Sequence, residues 1–164
     1  MFTGPFAGEF AQTWQNNEDA FIRGIIADQR ITDQEWAEVV ARMKACFESE
    51  GMSVKEYNPD GSYSFELGSH DAETGNRLAT GCEESSGVAP VGRLRISMQT
   101  NPDNRDMDEL MHECLVRVGA VPKSYGLDEY RRDNSTFSFP FVTEGDKKYY
   151  DICAASPLTA QRGD

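Results

Sequence analysis

Nowhere in its 164 residues does the chain hold an apolar run of about 18 residues, so no segment reads as a membrane-spanning helix. Basic residues are scarce: 16 Lys and Arg stand against 28 Asp and Glu, for a formal charge of −12. That balance repels phosphate backbones and anionic headgroups, which sets nucleic acid and membrane surfaces aside as partners. A nucleic-acid-mimicking acidic surface is the one reading that would put the charge to use. Histidine occurs only as His70 and His112, and HExxH, GxSxG, P-loop and dinucleotide-binding glycine patterns are all missing. None of the four cysteines has another within a few residues, as the paired spacing of structural zinc sites requires. The opening MFTGPFAGEF lacks the basic region and long apolar stretch of a signal peptide. A cytosolic protein and a mature exported domain with its leader removed would share that start. The even cysteine count favours the exported one.

What is present argues for a folded core. Nine Phe, six Tyr and two Trp oppose disorder, and the length suits a single domain, residues 1–164, or two small halves sharing one core. Phe10, Trp14, Phe21 and Ile25 fall on one helical stripe, which predicts a first helix over residues 6–29, weakened at Asn16 and Asn17. Thr32 and Glu35 form a capping box, with Trp36, Val40, Met43 and Phe47 as the apolar seam of a second helix that Gly51 stops. ADQRITDQE resembles the back half of a calcium loop, but Gly24, Ile26 and Gln29 stand where two carboxylates and a glycine belong.

Asn58-Pro59-Asp60-Gly61 predicts a hairpin turn, with Tyr63 and Phe65 alternating on the return strand. The Gly- and Ser-rich stretch 68–90 reads as a loop, and residues 90–98 lean to helix. A further helix begins near Asp106, carries Met107, Leu110, Met111, Cys114 and Val118, and stops at Gly119. STFSFPFV then predicts a strand with Phe137, Phe139 and Phe141 on one face, an edge because of Pro140, and KKYYDIC its partner. The tail ASPLTAQRGD reads as frayed. The first half thus covers residues 30–90 and the second 100–155.

CFESEGMSVKEY from Cys46 and CLVRVGAVPKSY from Cys114 share one grammar of Cys, four residues, Gly, three residues, Lys, one residue, Tyr. Physically this is first a helix stop. A glycine just past each helix leaves the cysteine on the last full turn, and Met52 and Ala120 fold back on Phe47 and Leu115. Loop-closure entropy assigns about 3.8 kcal/mol to a Cys46–Cys82 or Cys114–Cys153 bridge and only about 0.6 more to Cys46–Cys114, so it does not choose among pairings. The shared grammar favours Cys46–Cys82 and Cys114–Cys153, each staple lying within its own half. A four-cysteine zinc site and four buried free thiols are the other two readings.

Each chemical candidate has a plainer account. His70-Asp71 sits in a polar loop. His112 and Cys114 are two apart on a helix, where side chains diverge. Asp103, Asp106, Asp108 and Glu109 could bind a cation, but also suit a helix N-terminus. Asn134-Ser135-Thr136 matches a glycosylation acceptor and Arg162-Gly163-Asp164 an integrin-type motif, both short enough to arise by chance.

Taken in order, these stretches resemble a family. IADQRIT before the capped helix, CFESEG, a DG hairpin and the lone Cys82 are followed by TNPDN, LMHECLVRVGAVPKSYGLDEYRRD and Cys153. Residues 20–155 are in this respect similar to the extracytoplasmic domains, often lipoproteins, widespread in actinobacteria. Those domains carry CL-x3-G on a helix after an NP, then VP-x-SY and an acidic-aromatic pair. The resemblance implies an exported, disulfide-bearing domain and supplies no catalytic residues.

The sequence therefore predicts an α+β fold of two helix-plus-β-hairpin halves packed as one domain and stapled by two disulfides. Its structural residues are Thr32, Glu35, Gly51, Gly119, Asn58 and Gly61. The function expected is binding or accessory work at the cell envelope, on a protein or glycan partner, without cofactor, metal or catalysis. A small extracellular hydrolase using His70 or His112 with nearby acids is the alternative.

Overall fold

A computed structural model describes residues 1–58 and 61–163. Pro59 and Asp60 of the expected turn, and Asp164 of the terminal tripeptide, lie outside the described residues. The fold is α+β, mostly helical with one two-stranded antiparallel sheet. It divides into two compact units, Met1–Ile96 and Ser97–Asp164.

In the first unit the expected single helix over 6–29 is two, α1 (Ala7–Asn16) and α2 (Ala20–Ile26). Asn17 turns the backbone to an extended conformation and donates from its side chain to Thr13 O at 2.7 Å, a local bond that competes with helix continuation. Asp19 then caps α2, accepting from Phe21 N at 2.8 Å and Ile22 N at 3.0 Å. The same carboxylate receives the Arg42 guanidinium at 3.1 and 3.2 Å, so a helix cap doubles as an anchor between α2 and α3 (Asp33–Ser49).

The bonds from Arg42, and after them the N–H of Ile22, bring the Asp19 carboxyl down from its ordinary 3.8 to about 2. A carboxyl depressed in the folded state stabilises that state above its unfolded value, and the contribution is lost as pH falls from about 4 to about 2. Both partners are 38% exposed, so screening holds the pair to about 1 kcal/mol or less. Asp19→Asn keeps a capping oxygen and removes the charge. The melting-temperature gap between the native chain and Asp19→Asn is predicted to be largest above pH 4, to narrow as pH falls toward 2 and to close below it. Parallel curves across that range would show that the ion pair contributes nothing.

α3 opens on the capping box: Thr32 Oγ1 accepts from Glu35 N at 3.2 Å and Glu35 Oε2 accepts from Thr32 N at 2.8 Å. Its fully buried residues are Val39, Met43 and Phe47. Trp36 and Val40, read from sequence as core seam, are only half-buried. α3 ends in a Schellman motif, with Gly51 at φ +74°, Met52 N donating to Phe47 O at 2.8 Å and Gly51 N to Glu48 O at 3.0 Å. Strands β1 (Ser53–Tyr57) and β2 (Tyr63–Glu66) pair Tyr57 with Tyr63 and Val54 with Phe65, with a bulge near Lys55. Asn58 N donates to Ser62 O at 2.8 Å and Gly61 adopts φ +87°, closing the hairpin. Phe47 meets Tyr63 and Phe65 edge-on, at 5.9 and 5.2 Å, which seats the hairpin on α3.

The stretch 68–90, read as a loop, is largely the helix α4 (Ala72–Ser86), capped by Asp71 and ended by Gly87 at φ +94°. Its buried residues Gly75, Ala79, Cys82 and Ser86 form one stripe, but a stripe of small side chains carries little hydrophobic signal. It lies against α3, and Cys82 joins Cys46 there with Cα atoms 5.6 Å apart. α5 (Val88–Thr100) comes next and buries Val91 and Leu94.

In the second unit α6 (Met107–Arg117) is capped by Asp106, whose carboxylate accepts from Glu109 N at 3.0 Å. It stops as α3 does: Gly119 has φ +67°, Ala120 N donates to Leu115 O at 2.9 Å and Gly119 N to Val116 O at 3.1 Å. α7 (Leu127–Asn134) buries Tyr130. The second hairpin is not formed. Residues 135–142 contain no strand, and KKYYDIC lies mostly in α8 (Lys148–Ala155) after a single tight turn at Glu144–Lys147. Tyr149 and Cys153, four apart, are the buried pair of α8, and a helix face accounts for that spacing as a strand does not. Cys153 joins Cys114 with Cα atoms 5.8 Å apart.

The tail is not frayed. Arg117 donates to Pro157 O at 2.6 Å, and Ala160 is buried. Arg162 reaches Asp146 Oδ1 at 2.8 Å and the carbonyls of Val118 and Gly119 at 3.1 and 3.0 Å. Asp146, with a side chain only 3% exposed, also accepts from Thr143 N and Oγ1, both at 2.9 Å. Those Thr143 bonds, with Arg162 behind them, lower its carboxyl from the ordinary value. The guanidinium of the terminal tripeptide thus serves the fold.

Candidate functional site

The four cysteines are spent on Cys46–Cys82 and Cys114–Cys153, which rules out both the zinc and the free-thiol readings. Among the described residues no three His, Cys, Asp or Glu side chains are grouped to hold a metal. Asp106 and Asp108, possible cation ligands by sequence, instead face Arg131 at 3.4 and 3.8 Å. Asn134, in the glycosylation motif, donates to Asp108 Oδ1 at 3.3 Å and accepts from the Tyr150 hydroxyl at 3.2 Å.

Each histidine is placed on a backbone carbonyl. His70 Nε2 lies 2.6 Å from Glu50 O, at the end of α3, and His112 Nε2 lies 2.8 Å from Tyr125 O. The acid next to His112, Glu113, is held by Arg105 at 2.6 and 3.1 Å, and those bonds lower its carboxyl from the ordinary value. His70 thus ties the end of α3 to the loop before α4, and His112 ties the middle of α6 to the loop before α7. Among the described residues neither histidine is hydrogen-bonded or ion-paired to an acidic side chain.

A groove with the shape of a binding site lies along α3. Trp36, Ala37, Val40, Ala41 and Lys44 run along one strip of the helix for about 12 Å at 1.5 Å per residue. Tyr57 and Asn58 from the hairpin end and Arg95 from α5 complete the walls of a groove of about 470 Å³. Its floor is Ala37 and Ala41, both exposed, so an occupant can approach the helix backbone closely.

The aromatic walls are held from behind. Trp36 and Tyr57 stand with ring centres 6.3 Å apart and planes inclined at 56°, forming a corner. Arg95 lies over Trp36 at 5.4 Å while pairing with Asp33 at 2.9 Å. A β-carbon at Gly92 would stand 3.0 Å from the Trp36 ring, so the backbone of α5 packs against the ring edge. Tyr57 stacks on Tyr63 at 6.1 Å and 13°. The Tyr63 hydroxyl donates to the Glu83 carboxylate of α4, and burial together with that carboxylate pushes the phenol well above its ordinary value.

A second groove, of about 590 Å³, is lined by Phe2, Trp14, Ala11, Asp28 and Gln29 among others. In the second unit Phe137, 58% exposed and at φ +52°, leads a run of rings through Tyr150 at 4.7 Å, then Phe139 at 5.2 Å from Tyr150.

Of the residues singled out from sequence, Asn58 lines the α3 groove and Thr32 with Glu35 caps the helix that floors it. Cys46 and Cys82 fasten α3 to α4, while Gly119, Cys114 and Cys153 belong to the other unit. Trp36, Val40, Lys44, Tyr57 and Arg95 are not recognisable as a site from sequence. One signal bears on the three residues from α3. Two stripes at four-residue spacing compete on α3, Val39–Met43–Phe47 and Trp36–Val40–Lys44, and the one that ends in a lysine faces out. Comparisons with protein families, curated proteins and solved structures found no match for this chain.

Proposed function

We propose that the protein is an exported, disulfide-stabilised binding domain of the cell envelope and that the groove along α3 takes its partner, an envelope protein or glycan. The observation that carries this reading is the Trp36–Tyr57 corner above a floor of two exposed alanines, an apolar recess stiffened by packing rather than filled by it. Two crosslinks among 164 residues support an oxidising compartment, and no helix is long and apolar enough to cross a membrane. The likeness to actinobacterial extracytoplasmic domains supports the same location.

The test is co-sedimentation of the oxidised protein with washed actinobacterial cell envelopes. Trp36→Ala removes a wall, and Ala41→Arg fills the floor without touching a buried residue. Each is predicted to reduce retention at least about tenfold while the far-ultraviolet circular dichroism stays native. Retention of both variants at the native level would contradict the reading.

A further inference from the structure

From the charge and geometry of this groove, and resting on the binding reading above, we infer that its occupant is an acidic peptide segment of a protein partner. Such a segment would set one large apolar side chain in the Trp36–Tyr57 corner and a carboxylate on Lys44. The chain carries 28 acids to 16 bases, yet among the described residues the groove is lined by two bases and no acid, the one acid paired with a lining base being Asp33 on Arg95. An acidic protein that shows a local basic lining selects an anionic occupant by complementarity and repels most other approaches.

The two bases are placed differently. Arg95 is engaged by Asp33 and lies over Trp36, so it stiffens the corner. Lys44 stands exposed two turns further along α3, and among the described residues its ammonium has no ion-pair or hydrogen-bond partner. Glu48, one turn beyond on the same helix, leaves it unpaired. A carboxylate a few residues from an apolar anchor spans that separation in an extended peptide, at about 3.3 Å per residue.

The aromatic geometry separates peptide from sugar. Glycan recognition uses open aromatic faces as flat platforms. Here Arg95 covers a face of Trp36, Tyr63 covers a face of Tyr57, and the two rings meet at 56°. A corner of that kind accepts a side chain end-on. The alanine floor leaves room for the peptide backbone beside it.

The experiment is selection of a random twelve-residue phage-displayed library on the oxidised native protein. Recovered peptides are then measured by fluorescence anisotropy against native, Ala41→Arg, Lys44→Glu and Lys44→Arg proteins. Recovered sequences are predicted to place Asp or Glu within a few residues of a large apolar residue. Lys44→Glu is predicted to weaken them at least tenfold, with Lys44→Arg within about threefold of native. Recovered peptides without acids, affinity indifferent to Lys44→Glu, or no peptide sensitive to Ala41→Arg would overturn the inference. So would Lys44-dependent binding of hyaluronan, as a polyanionic glycan probe, with none by peptides. That last outcome would leave the binding reading standing, whereas envelope retention indifferent to Trp36→Ala and Ala41→Arg would remove the binding reading itself.

Discussion

Replacing Cys114 and Cys153 together by alanine is expected to lower the local stability of the α6–α8 pair by about 4 kcal/mol. Most of this is the loop-closure entropy that the crosslink removes from the unfolded chain, about 3.8 kcal/mol for a loop of this length. A small remainder comes from the space left by two sulfur atoms that are fully buried, both cysteines being 0% exposed. Alanine is chosen over serine because a hydroxyl left unpaired at these positions would add its own desolvation cost. The readout is amide hydrogen exchange across Met107–Arg117 and Lys148–Ala155. Protection is predicted to fall by roughly a thousandfold, the factor that about 4 kcal/mol implies. Unchanged protection would mean that packing of Tyr149, Leu115 and Val121 already holds the two helices together without the bond.

Gly68→Ala is expected to destabilise the first unit by at least about 3 kcal/mol. Gly68 sits at φ +61°, where a β-carbon costs roughly 1–2 kcal/mol. That added carbon would also lie 2.1 Å from the carbonyl oxygen of Gly51, a backbone atom fixed by the Schellman stop of α3. The clash can be relieved only by moving the loop off the helix end, which breaks the contact of His70 with Glu50 O. Two controls separate these causes. Gly51→Ala meets the same unfavourable φ with nothing within 4 Å, and should cost only about 1–2 kcal/mol. Gly75→Ala would press on the far end of Leu67, a side chain free to change rotamer, and should also cost less than Gly68→Ala. Thermal melts of the three variants rank them. A Gly68→Ala loss no greater than that of Gly51→Ala would show that the close approach is not rigid.

The disulfide pairing was legible because a helix stop is local chemistry. Gly51 and Gly119 each end a helix five residues after a cysteine, and each cysteine is bonded to the next one along the chain. The segment after each of these helices was legible only in the first unit. Tyr63 and Phe65 alternate with Ser64 and Glu66 and form a strand that buries its rings against Phe47. Phe137, Phe139 and Phe141 alternate just as cleanly, yet Pro140 withholds a ladder donor and the rings cluster with Tyr130 and Tyr150 instead.

α4 was illegible for the opposite reason. Its core-facing stripe of Gly75, Ala79, Cys82 and Ser86 is defined by smallness, a property of helix packing that composition presents as loop. The groove was hidden by a third ambiguity. Trp36 and Val40 have the residue types of a core and the spacing of a core, and only the tertiary choice of Val39 as the inward position turns them outward. Arg95 and Tyr57 reach the same place from distant points in the chain, which no spacing rule could reveal.

Trp36 reports directly on whether the α3 groove is where this domain binds. Trp14 is the only other tryptophan, so Trp14→Phe leaves the groove residue as the single indole. Titration of that variant with solubilised envelope protein is predicted to give a saturable change in Trp36 emission, abolished when Ala41→Arg is added. Saturable binding by an independent probe, with Trp36 emission unmoved throughout, would place the binding face away from the α3 groove.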